Sequence, residues 1–260
     1  MQSHSRRGFL GSLAAGLLLD RFAAPLLARA NFSSPVMRGR RFLEGLYDPA
    51  LDLLPEYRGA KVYWLFHDNY LAAKVLAASN RELAGKITAA THRLGVDHSG
   101  KIEIVFSEAK DPLPFRQYSL IDVKRIGEKL IKTEVVTQTL LRGWEQYADL
   151  LFLAAMAESD RAKARRHFDD GLKLWDGTGF KDRAASKRYA TYKLALCLIA
   201  ARKLEVKPDA QPAIIERLLA MQAEDGGWIT DYDLERKPAG KANVETTCLA
   251  ILGVEATVRK

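Results

Sequence analysis

Apolar residues recur at helical spacing along most of the chain. Leu71, Val75 and Ala78 form one stripe, and Leu83, Ile87, Ala90 and Leu94 form a second that Gly95 is placed to end. Val136, Leu140, Trp144, Tyr147, Leu151 and Ala154 make a long amphipathic run. Further stripes follow at Ala164, Phe168, Leu172 and Trp175, then at Leu194, Cys197, Leu198 and Ala201. Pro208 separates these from Ile214, Ile215 and Leu218, and the last run is Val244 to Val254. Between the helical stripes the period shortens. Ile102, Ile104 and Phe106 alternate with Lys101, Glu103 and Ser107, and Asp111-Pro112-Leu113-Pro114 then breaks the chain. Tyr118 to Ile126 reads as extended, with Gly127-Glu128 as a turn. The pattern predicts a mainly α protein of about eight helices, with a small antiparallel β-insertion at roughly 101–133. Residues 31–60, with Pro35, Pro49 and Pro55, read as a loop-rich lead-in. Each helix is too short to stand alone, so the helices must stack as hairpins.

The N-terminus reads as an address. Ser5-Arg6-Arg7-Gly8-Phe9-Leu10 is a twin-arginine pattern, Leu13 to Leu27 is apolar, and Ala28-Arg29-Ala30 is a small-x-small cleavage site. Residues 1–30 are therefore expected to be a twin-arginine signal peptide and 31–260 a single exported domain, periplasmic or secreted. The apolar stretch is too short for a stable membrane span after cleavage. The alternative is an uncleaved anchor, against which Asp20 and Arg21 weigh. Removing the segment lowers the net charge from +8 to +5, because Arg6, Arg7, Arg21 and Arg29 go together with Asp20. The remaining Lys and Arg are scattered, so nucleic acid is not an expected partner. The expected partners are the export machinery and a glycan or other small molecule. Cys197 and Cys248 read as two buried thiols or, in an oxidising compartment, as a disulfide. No spacing matches a metal site, a P-loop, a dinucleotide glycine pattern or a nucleophile elbow, so no cofactor is expected.

Two stretches near the C-terminus repeat. Trp175-Asp176-Gly177-Thr178-Gly179-Phe180-Lys181-Asp182 and Glu224-Asp225-Gly226-Gly227-Trp228-Ile229-Thr230-Asp231 each run from Asp-Gly through an aromatic to an Asp, and each leads to an apolar helix. Leu219 to Trp228 resembles the Gln…Asp-Gly-Gly-Trp repeat of the prenyltransferase, squalene-cyclase and terpenoid-cyclase superfamily. Asn243-Val244-Glu245-Thr246-Thr247 is similar to the start of an inner helix in those α/α-toroids. The resemblance covers residues 140–256 and implies an incomplete or open α/α-toroid of helical hairpins, since a closed one has roughly twelve helices. It says little about chemistry. The chain lacks both the Asp-x-Asp-Asp run of the cyclases and a prenyltransferase-like set of zinc ligands.

In such a toroid the helix starts face a central hollow. Asp68, Asp182, Asp231 and Glu245 are therefore the candidate acid/base groups, with Trp64, His67, Asn69, Tyr189, Trp228 and Asn243 as candidate substrate contacts. Each has a structural alternative. Asp68 can cap the helix near Tyr70, Asp182 and Asp231 can be loop or cap residues, Asn243 can cap the last helix, and the aromatics can fill core. Tyr192 is a further candidate phenol at the earlier helix start. Compartment and fold together point to carbohydrate binding or processing, by glycosidase- or lyase-like chemistry. A non-catalytic interaction module is the alternative, and lipid or isoprenoid binding a third.

Overall fold

The computed structural model describes residues 34–96, 100–109, 112–184 and 187–258. The expected export signal at 1–30 lies outside them. The chain is mainly α-helical, with helices α1 (34–44), α2 (Tyr70–Leu76), α3 (Arg81–Arg93), α4 (Ala148–Ala157), α5 (Arg161–Leu172), α6 (Thr191–Lys203), α7 (Gln211–Ala220) and α8 (Val244–Val258). Strands β1 (Val62–Trp64), β2 (Arg116–Ile126) and β3 (Lys129–Leu140) form one sheet in the order β1-β3-β2. Strands β4 (Arg188–Ala190), β5 (Ile229–Asp233) and β6 (Pro238–Ala242) form a second.

The helices fall into two kinds. In α6 every residue from Thr191 to Ala201 except Tyr192 is buried, and α4 and α8 are covered almost as completely. Helices apolar on all sides belong inside a fold. By contrast α3 buries only Leu83, Ala84, Ile87 and Ala90, and α7 only Ile214 and Leu218. These one-sided helices form an outer layer: α3 packs on α2, α5 on α4 and α7 on α6. Helix α1 covers α8, where Arg40 bonds Glu255 at 2.7 Å and a Cβ on Gly39 would meet Ile251 at 3.0 Å. Within the inner layer α4 packs on α6, α6 on α8 and α8 on α2. One large apolar cluster runs through these layers from Val36 to Val254, and a smaller one joins Leu53, Tyr63, Leu65, Ala90 and Ile131.

The repeated corners are built alike. Trp175 bridges Phe180 in the first and Gln222 bridges Trp228 in the second. Asp176 accepts backbone N–H bonds from Thr178 and Gly179, as Asp225 does from Gly227. Gly177 and Gly226 hold φ of +91° and +95°, which a side chain would oppose. Phe180 and Trp228 both plug the core.

Strands lead directly into helix starts. β1 runs into a π-helical turn, Leu65–Asn69, and then α2, while β4 runs into α6. β6 ends one residue before α8, so the second sheet sets the starts of α6 and α8 side by side.

Several boundaries differ from expectation. Gly100–Phe106 is a 3-10 helix rather than a strand. The hairpin of the β-insertion turns at Gly127-Glu128 as expected but extends to Leu140, so Val136 and Leu140 belong to a strand, and the helix begins only at Ala148. The lead-in contains α1, and the second sheet was not anticipated. Among the described residues no helix is long and apolar enough to cross a membrane.

Candidate functional site

Three inner helices carry a polar side chain at the same place. Asp149 is the second residue of α4, Tyr192 of α6 and Glu245 of α8. This position points the side chain back past the helix start, where the macrodipole favours negative charge. The fourth inner helix follows the π-turn that holds Asp68. The start of α8 is also bridged to the segment before β1, through the Tyr57–Asn243 pairing and a 3.0 Å bond from Val244 N–H to Glu56 O. Glu56 thereby joins the same end of the fold.

The charges at this end sense one another. Asp68 is 2% exposed, and its Oδ2 has no hydrogen-bond partner among the described residues. Burial, then the neighbouring Glu245 and Glu56 carboxylates, push the Asp68 carboxyl well above its ordinary range. Glu245 is pushed up to about 7 by burial, with Asp149, Glu134 and Glu56 adding to it. Burial wins here over the favourable helix dipole. Glu245 nevertheless keeps partial exposure, as do Asp149, Tyr192, Glu134 and Glu56. Deeply surrounded groups that still reach solvent are placed to exchange protons.

Tyr192 Oη donates to Asp149 Oδ2 at 3.0 Å, and burial raises the phenol far above its usual value. Lys193 Nζ pairs ionically with Asp149 Oδ1 at 3.7 Å, too far for a hydrogen bond, and Oδ1 has no hydrogen-bond partner among the described residues. Across the site Glu134 lies against Gly100 and near Lys101, and burial lifts its carboxyl to about 7. The Lys101 ammonium sits 3.6 Å from the Tyr118 ring, and burial lowers its pKa.

The expected site residues divide. Asp68 and Glu245 come together, and capping does not account for Asp68, because the cap position of α2 is Asn69 and makes no side-chain cap bond. Asp182 is tied elsewhere: it accepts from Ala148 N–H at 3.0 Å, from Ala184 N–H at 3.0 Å and from Lys193 Nζ. It anchors the start of α4 and offers no free oxygen. Asp231 lies on β5 in register with Ala190 and Ala239, so it is not the counterpart of Asp182. The first corner reaches its Asp two residues after the plug and the second three, which sends the side chains to different places.

The expected substrate contacts are largely structural. Asn69 bonds Leu54 N–H, Leu54 O and Trp64 O. Asn243 accepts from Thr246 N–H at 2.9 Å and caps α8. Trp228 is 0% exposed and spends its indole N–H on Leu218 O, so it has no face to offer a ligand. Tyr189 is buried and donates to Asp176. Burial pushes His67 down to about 3, so the ring, packed on Phe66, is neutral. Trp64 is half-buried, with the Lys132 ammonium 5.2 Å from its ring.

Asp149, Glu134, Glu56, Lys101 and Lys193 were missed. Asp149 was hidden by reading Val136 to Ala154 as one helix, which placed it mid-helix instead of at a helix start. Both cysteines are free and buried, and burial raises their thiol pKa values. Among the described residues no group of three or more His, Cys, Asp and Glu is placed to hold a metal ion. No protein-family model matches the chain, and no curated protein matches it.

Proposed function

We propose that this chain is an exported carbohydrate-processing protein, an incomplete α/α-toroid whose inner helix starts surround an acid/base pocket. The observation that carries the reading is Glu245, a solvent-touched carboxyl pushed up to about 7 beside the buried Asp68. A carboxylic acid that keeps its proton near neutral pH suits protonation of a glycosidic oxygen. Asp149, at the matching position of α4 and bonded to Tyr192, is its opposite number, able to activate water or accept a proton. The alternation of fully buried and one-sided helices, and the repeated corners, support the toroid. The twin-arginine pattern supports export.

The reading is tested by screening the mature chain against polysaccharides for new reducing or unsaturated ends. Glu245→Gln and Asp149→Asn are expected to lose at least about a hundredfold in turnover, with melting temperature held. Full turnover in Glu245→Gln would end the proposal.

One observation favours a second reading. On the β2–β3 hairpin Leu120, Val136 and Leu140, which strand alternation puts on one face, are each more than 40% exposed, apolar positions suited to a protein partner. If this is the working surface, charged replacements there abolish function while Glu245→Gln does not.

A further inference from the structure

A cavity of about 510 Å³ opens between α2, α3 and the 3-10 helix, and none of Asp68, Glu245, Asp149, Glu134 and Glu56 lines it. Its size is that of a ligand site, roughly 300–1,000 Å³. Helix α2 joins the two walls. It packs on α3, while Tyr70 and Lys74 bond Glu108, just past the 3-10 helix, at 2.7 and 2.6 Å. These three side chains satisfy one another. What faces the remaining space differs from wall to wall. Arg81, exposed in the first turn of α3, makes no ion pair or side-chain hydrogen bond among the described residues. Glu103, on the 3-10 helix, lines the cavity although it is only 8% exposed.

The charges of the lining cancel but are kept apart. With His neutral, Lys74 and Arg81 balance Glu103 and Glu108, and His92 adds a further basic side chain to the α3 wall. A ligand with a net charge of either sign gains on one wall and loses on the other. A ligand that carries both signs gains on both.

Gly85 supplies a second observation. Glycine inside a helix costs stability relative to alanine, and no packing requires it here: a Cβ on Gly85 would meet nothing within 4 Å. The glycine leaves the α3 wall open where Ala73, Ala77 and Ala84 also line the cavity. Thr88 and Thr91 stand beside them, and their hydroxyls donate to Ala84 O and Thr88 O at 2.9 and 2.8 Å. Their oxygens keep lone pairs to accept from a ligand. A bed of small apolar side chains edged by acceptors suits a peptide backbone, which brings N–H donors and little bulk.

We infer that this cavity binds a short peptide with both termini free, its carboxylate paired with Arg81 and its ammonium with Glu103. An arginine holds a carboxylate through two parallel N–H donors, and a carboxyl group has acceptor sites for an amine beside the partners it already has. A free amino acid carries both charges on one carbon, whereas here the acid and the base stand on separate walls. The site goes beyond the carbohydrate reading and does not rest on it.

The test is calorimetric titration of the full chain at neutral pH with trialanine, with trialanine acetylated and amidated at its two ends, and with a glucose trimer. Trialanine is expected to bind at least about tenfold tighter than either of the others. Arg81→Gln and Glu103→Gln should each remove that preference. Gly85→Phe, placed where the wall is open, should abolish trialanine binding while the melting temperature holds or rises. If Glu103→Gln fails to fold, Arg81→Gln decides, because Arg81 is exposed. Equal or tighter binding of the blocked peptide or the glucose trimer overturns the inference. So does an unchanged preference in Arg81→Gln, unchanged binding in Gly85→Phe, or no binding of trialanine at all.

Discussion

Asp182 and Asp68 are both nearly fully buried carboxylates near inner helix starts, and their surroundings are opposite. Asp182 receives two backbone N–H bonds and the Lys193 ammonium, so both its oxygens are used. Asp68 has an oxygen with no donor among the described residues, and the side chains that bear on it electrostatically are the acidic Glu245 and Glu56. The first arrangement fixes a backbone junction, joining the corner after α5 to the start of α4 across the fold. The second disfavours the charged carboxylate and leaves one of its oxygens without a donor among the described residues. Burial alone therefore does not mark a working acid; what separates the two is whether the fold has already satisfied the group.

The contrast predicts opposite responses to the same kind of change. Asp182→Ala removes the hydrogen-bonded partner of the buried Lys193 and leaves it only the longer ion pair with Asp149, and equilibrium denaturation should show a loss of about 3–5 kcal/mol. Adding Lys193→Met should return much of it, and a double variant no better than the single would mean that the ion pair is not what matters.

A smaller effect is expected from pH. Glu245 holds its proton more tightly in the folded chain, at about 7, than at its ordinary value of 4.5. As pH rises from 4.5 the unfolded chain loses that proton first, so the stabilisation is present at low pH and disappears as pH passes 7. The unfolding free energy should fall over this window by about 3 kcal/mol, and Glu245→Gln should show a shallower decline. Asp68 acts in the same direction.

Asn243→Ala removes the side-chain cap of α8 and should cost about 1 kcal/mol in thermal or chemical unfolding. The least effect on stability is expected from Asp68→Asn. It replaces a carboxyl whose charged form burial disfavours with an amide of the same shape and should leave the midpoint unchanged or slightly raised. A loss like that of Asp182→Ala would show that Asp68 is a structural anchor after all.

The sequence disclosed the corners because their chemistry is local. Asp-Gly sets the turn, and a following aromatic must fill the gap between hairpins. The inner helix starting near Val244 was legible for the same reason, with Asn243 as its cap. Residues 134–147 were misread because Val136 and Leu140 are spaced like a helix face, although Thr133, Val135, Thr137 and Thr139 around them are β-branched. Ile102, Ile104 and Phe106 alternate like a strand, yet a short 3-10 turn buries Ile102 and Ile104 equally well. Part of the candidate cluster is legible in the sequence. Asp68 and Glu245 stand at positions that a helix-start argument selects, whereas Asp149 became visible only once the start of α4 was known. Glu56 and Glu134 are brought in by strand pairing across long separations, for which a single sequence carries no sign.

The most direct measurement is a carbon-13 NMR titration of the Glu245 side-chain carboxyl in the full chain and in Asp149→Asn. The expected midpoint is near 7 in the native chain and lower in the variant, since the Asp149 carboxylate is the leading charge that holds the proton on Glu245 after burial itself. A native midpoint near 4.5, unmoved by Asp149→Asn, would contradict a shared acid pocket at the inner helix starts.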